Sequence, residues 1–97
     1  MSTPTFAEFQ SASLAEGYDE VIERRWAPGQ EVDTHTHPFT AHAVIVEGEM
    51  WLACGDRTQH LLPGDGFDLD AGVPHAERYG PAGAVYWVAR RNAAAPR

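Results

Sequence analysis

From Glu20 onward the chain alternates apolar and polar residues over short stretches, each closed by Gly or Pro. A period of two sends alternate side chains to opposite faces, so the pattern predicts strands. We read strands over Glu20–Trp26, Gln30–Thr36, Ala41–Val46, Glu49–Ala53, Gln59–Leu62, Gly66–Leu69, His75–Tyr79 and Ala84–Ala89. Between them stand turn signals at Pro28-Gly29, Glu47-Gly48, Gly55-Asp56, Pro63-Gly64-Asp65, Ala71-Gly72 and Gly80-Pro81. Regularly spaced short strands favour an all-β barrel or sandwich. No segment sustains a 3.6-residue apolar stripe, so no long helix is expected. Residues 1–18 read as an N-terminal arm or edge strand, 19–89 as one β-barrel domain, and 90–97 as a loose tail.

Ninety-seven residues, 43% of them hydrophobic, fit one domain with one packed core. The formal charge is −7, from 14 acidic residues against seven Arg and no Lys. Without a basic stripe, neither nucleic acid nor an anionic membrane surface is an expected partner. No apolar run reaches the ~20 residues of a membrane span. The N-terminus lacks the pattern of an export signal, and the single Cys54 forms no internal disulfide, so a cytoplasmic location is expected. Absent Lys removes Schiff-base chemistry and a P-loop lysine. The only serines, Ser2, Ser11 and Ser13, lie in the polar N-terminal stretch, and no G-x-S-x-G is present. Cys54 reads as a small apolar filler beside a turn.

What remains is histidine. His35 and His37 lie two apart and so share a strand face; His42 follows, and His75 closes the stretch AGVPH. Neutral imidazole is the commonest metal ligand, and a cluster of three or four suits a divalent transition ion. On Ala41–Val46 the β-branched Val44 and Val46 mark the interior, which puts His42 inside with them. From His75 the same parity carries Glu77 and Tyr79 onto one face. Glu77 is therefore a candidate hydrogen-bond partner of a metal-bound histidine or a proton-transfer group, with Tyr79 lining the same cavity. His60 reads as a surface residue, and Phe39, Trp51, Tyr79 and Trp87 as aromatics that could wall a pocket but are better read as core packing. The pairs Glu47/Glu49 and Asp68/Asp70 flank turns and read as solvated faces.

These positions carry a resemblance. Gly29-x5-His35-x-His37-x4-His42-x5-Gly48 resembles the first motif of the cupin superfamily, G-x5-H-x-H-x3,4-E-x6-G. Gly64-x5-Asp70-x-Gly72-x2-His75-x3-Tyr79 resembles the second, G-x5-P-x-G-x2-H-x3-N, after a short spacer. The likeness runs from about Trp26 to Val88. It implies a cupin-type β-barrel (double-stranded β-helix, or jelly roll) holding one mononuclear metal ion. The family acid falls on His42 when counted from His37, and on Ala41 when counted back from Gly48. With His42 as fourth ligand, the set His35, His37, His42 and His75 would take iron, zinc, nickel, copper or manganese.

Two functions follow from the resemblance. One is a small metal-dependent oxygenase, isomerase or lyase acting on a small organic substrate, with Glu77 or Tyr79 moving protons. The other is a non-catalytic ligand-binding or sensing module, since the chain also resembles the barrels of arabinose-type transcription regulators. Those accompany a helix-turn-helix domain, and this sequence carries neither that domain nor basic charge. A homodimer is implied as well, with the arm at residues 1–18 pairing across the interface.

Overall fold

In a computed structural model describing residues 4–92, two long strands organise everything else. Strand β3 runs over Phe39–Cys54 and β6 over His75–Asn92, and they pair antiparallel along nearly their full lengths. The first half of β6 also pairs with β2 (Glu31–His35), and its second half with β1 (Glu20–Trp26). Strand β3 pairs with β5 (Gly66–Leu69) near its start and with β4 (Arg57–Leu61) near its end. Each long strand thus passes through both layers of the barrel, and the short strands complete the walls. This is the expected all-β, cupin-type architecture.

Two sequence signals read as turns are bulges instead. The chain does not reverse at Glu47-Gly48; the β3–β6 register shifts there, between Ile45 and Glu47 and again between Gly48 and Met50. Gly48 has φ +75°, and a Cβ on it would stand 2.1 Å from the Gly83 carbonyl oxygen. Glycine is required because backbone crosses backbone at that point. Gly80-Pro81 likewise lies inside β6. A bulge and a turn need the same residue types, so the sequence pattern does not separate them.

The interior is formed by one face of each strand. Tyr79, Ile45, Met50 and Leu52 are the largest fully buried side chains, each contributing ~1.5–3 kcal/mol by leaving water. Alternation on β3 places Ala41, Ala43 and Ile45 in this core.

The N-terminal arm departs from expectation. Phe6–Ala15 form a helix, α1, where an arm or edge strand was expected. Thr5 caps it: its hydroxyl accepts from Glu8 N at 3.1 Å, and Glu8 Oε1 accepts from Thr5 N at 2.8 Å. That reciprocal T-x-x-E capping box was visible in the sequence as Thr5-Phe6-Ala7-Glu8. Phe9 packs with Val21 and Ala89, and Val44 and Trp87 join them, so the arm is seated on its own sheet. Thr5→Ala is expected to lower stability by about 1 kcal/mol and to speed amide exchange in α1 before the barrel. The expected tail also begins later, since Arg90–Asn92 belong to β6; residues 93–97 lie outside the described region. Among the described residues no helix is long and apolar enough to cross a membrane.

Candidate metal centre

Three histidines converge inside one end of the barrel. His35 closes β2 opposite His75, the first residue of β6, and the two are register partners. The β2–β6 register shifts between Val32 and His35, so these residues, three apart, both meet interior-facing partners. His37 follows two residues on, and its carbonyl accepts from Gly72 N at 2.8 Å. One ring nitrogen from each of His35, His37 and His75 lies within 4.8 Å of the others, a group able to hold a metal ion.

The surrounding hydrogen bonds orient these nitrogens. His35 Nδ1 lies 2.7 Å from the Asp33 carbonyl oxygen, and His75 Nδ1 lies 3.0 Å from that of Val73. A carbonyl only accepts, so both Nδ1 atoms carry their protons and both Nε2 atoms present lone pairs. Those lone pairs face inward. His35 Nε2 is 3.2 Å from His37 Nε2, while Glu77 Oε2 is 3.4 Å from His35 Nε2 and 3.6 Å from His75 Nε2. Glu77 and His75 are both buried in the barrel interior, at 8% and 2% exposure. Glu77 Oε1 accepts a hydrogen bond from the Tyr79 hydroxyl, so its second oxygen is the one turned toward the imidazoles.

Acceptors thus face acceptors. A proton on His37 Nε2 can satisfy one neighbouring lone pair and leaves the others opposed. For the buried His75 and Glu77 an opposed acceptor costs ~1–3 kcal/mol, which a cation shared by the group relieves. The pairs at 3.2, 3.4 and 3.6 Å fit such an ion, since ligands at ~2.0–2.2 Å in a tetrahedral set lie about 3.4 Å from one another. Three imidazoles with a carboxylate suit a borderline transition ion, and the second-nitrogen contacts to backbone carbonyls are those a histidine ligand needs.

His37 differs from its neighbours in having an aromatic support, stacking on Phe39 with ring centroids 4.6 Å apart. Burial, then the neighbouring His75 and His35, hold its pKa below the ordinary 6.5. The unfolded chain therefore binds more protons just below pH 6.5, and stability present above that value is lost as pH falls toward the folded pKa. Melting of the metal-free protein between pH 7.5 and 5.5 checks this; the drop is expected to shrink in His37→Gln.

His42 is not brought to this group, a correction to the expected four-histidine set. It projects from the opposite face of β3, where its Nδ1 pairs with Asp68 Oδ1 at 2.7 Å and its ring stacks with Phe9 and Tyr18. The parity was misjudged because both faces of β3 are apolar here. Val44 packs beneath α1, and the smaller Ala41 and Ala43 face the barrel. Ala41 is the position reached by counting back from Gly48. Glu77 and Tyr79 do sit on the inner face with His75. Burial pushes the Tyr79 phenol far up, so it remains a proton donor, and its ring stacks on Trp26 with centroids 4.9 Å apart. His60 lies on the outer surface, stacked on Trp51 and 2.7 Å from Glu49 Oε2.

A cavity of about 70 Å³ opens beside the histidines. Its walls include two residues the sequence reading left unused, Arg24 and Arg90. Arg24 rests over Trp26 and Arg90 over Phe39, at 4.8 and 4.6 Å from the ring centroids. Arg90 Nε is buried with no hydrogen-bond partner among the described residues. Both were legible as inner positions: Ile22, Arg24 and Trp26 share a parity on β1, as do Tyr86, Val88 and Arg90 on β6.

Comparison with known proteins agrees with this architecture. Among solved structures, an RmlC-like cupin from Shewanella frigidimarina superposes with TM-score 0.67 at 23% identity, covering 76% of this chain and 66% of that one. A DMSP lyase from Ruegeria pomeroyi gives TM-score 0.65 at 26% identity, covering 79% of this chain and 39% of that one. A further chain, from a crystallographic study of DMSP lyases, gives TM-score 0.69 at 24% identity, with coverage of 75% and 38%. This chain spans well under half the length of either lyase chain. No curated protein matches. The model of the AraC-like ligand binding domain matches residues 17–96. With a double-stranded β-helix barrel and a match over most of its length, the chain belongs to the AraC-like ligand binding domain family, on a cupin-type fold.

Proposed function

We propose that the protein binds one divalent transition ion through His35, His37 and His75 and uses the adjoining cavity for a small organic molecule, as a metal-dependent lyase, isomerase or oxygenase. The single observation that carries this reading is the inward convergence of Nε2 lone pairs, two of them fixed by carbonyl-bound Nδ1 protons. The ion, when bound, supplies Lewis acidity or redox capacity toward an oxygen-bearing ligand. The chain supplies the rest. Arg24 and Arg90, the latter also paired with Glu20 at 3.4 Å, give the cavity two guanidinium groups, which favours an anionic ligand such as a small carboxylate. Phe39, Phe67 and Leu69 wall off water on the apolar side. Tyr79 holds a proton at its hydroxyl and shares it with Glu77 Oε1, which makes this pair the proton-handling groups of the site.

A second reading, a ligand-binding module without catalysis, is favoured by the family match over residues 17–96. Elemental analysis of the purified protein, followed by turnover assays with iron(II) or zinc, tests the two. The substrates to try are small diketones, thiols and keto-acids, with oxygen uptake recorded, and DMSP, for which the two lyase neighbours are named. Stoichiometric metal with turnover supports the enzyme reading. Ligand binding without turnover supports the module. A protein that neither contains nor takes up metal refutes the proposed centre.

A further inference from the structure

The carboxylate that the motif resemblance places on β3 is missing, because that position is Ala41, 4% exposed and lining the cavity. A buried carboxylate nevertheless reaches the same cavity from another strand. Glu77 lies two residues beyond His75 on β6, on the same face, and is itself 8% exposed. Its two oxygens have separate surroundings: Oε1 accepts a hydrogen bond from the Tyr79 hydroxyl, and Oε2 stands 3.4 and 3.6 Å from the Nε2 atoms of His35 and His75. Those separations are long for a hydrogen bond carried by one proton, which favours ~2.7–3.2 Å. They match two ligands sharing an edge around one ion. We propose that Glu77 Oε2 is the fourth protein ligand, so that this chain has moved the acid of its metal centre from the β3 position of Ala41 to β6, immediately after the His75 ligand.

The relocation has a structural logic. On β6 the acid and His75 form an H-x-E pair that mirrors the H-x-H pair of His35 and His37. The centre is then built from two strand ends that are register partners, His35 opposite His75. Tyr79, two residues further along the same face, orients the carboxylate through Oε1, as outer-shell partners of metal ligands do. Small residues at Ala41 and Ala43 leave the β3 side of the barrel free of a competing acid.

This inference rests on the metal-binding reading, and cobalt(II) separates the two. If the wild-type protein takes up no cobalt, the metal reading itself fails. If it does, Glu77→Gln is expected to weaken cobalt affinity by about 100-fold and to change the visible d–d bands, because the ligand set changes. The double variant Glu77→Gln with Ala41→Glu is expected to regain most of that affinity by restoring an acid to the β3 wall. Loss of affinity with unchanged bands would reduce Glu77 to a positioning residue and overturn the proposal, as would unchanged affinity. Should Glu77→Gln fail to fold, a crystal of the cobalt-loaded wild-type protein decides: Oε2 at ~2.0–2.2 Å from the ion supports the assignment, and Oε2 beyond bonding distance overturns it.

Discussion

His75→Ala is expected to abolish tight metal uptake, lowering affinity by roughly 100-fold or more while the β-sheet circular dichroism stays that of the parent. His75 is the most buried of the three converging imidazoles, at 2% exposure, and Val73 fixes its tautomer. Removing it takes the most buried lone pair from the group and opens a gap where the ring stood, so the remaining donors no longer surround the ion. His35→Ala is expected to act the same way, since Asp33 orients its ring equally firmly. The informative controls are the other two histidines. His42→Ala and His60→Ala should leave metal content unchanged, because their rings project from the outer faces and pair with Asp68 and Glu49. Equal metal loss in His42→Ala would return that residue to the centre and contradict the strand parity described above. Metal content by elemental analysis and affinity by competition with a chelator read all four variants.

Gly48→Ala is expected to be strongly destabilising. The new Cβ would stand 2.1 Å from the Gly83 carbonyl oxygen and 2.9 Å from Ala84 Cα, both backbone atoms that cannot rotate away. Positive φ adds its own strain. Together these amount to about 3 kcal/mol, or roughly a 15 °C fall in Tm for a domain of this size. Gly29→Ala provides the contrast. Its φ is also positive, at +68°, yet a Cβ there meets nothing within 4 Å. Only the conformational cost remains, about 1 kcal/mol. Thermal melts of the two variants separate strain from collision, and similar losses would show that the bulge at Gly48 yields more easily than its geometry implies.

The two variants also mark where the sequence was legible. Strands β1 and β5 keep the bounds read from alternation, because each is a short run closed off by glycine-bearing turn signals. The long strands were divided at Glu47-Gly48 and Gly80-Pro81, since residues that permit a bulge are those that signal a turn. Convergence of His35, His37 and His75 could be read because spacing and parity are local properties. His42 could not be assigned from parity: the outer face of β3 is apolar too, covered by a helix whose own signature is a capping box with no stripe. Arg24 and Arg90 escaped notice for the opposite reason. A charged residue on a strand reads as solvated, and only the closed barrel reveals that their inner parity leads to the cavity.

The central claim is that imidazole nitrogens from two strand ends enclose one cation. Anomalous diffraction at the metal edge, from crystals of protein incubated with zinc or iron(II), tests it most directly. The expected map has a single strong peak within ~2.0–2.2 Å of Nε2 of His35, His37 and His75. A peak beside His42 or His60, or no peak among the three converging rings at full metal loading, would contradict it.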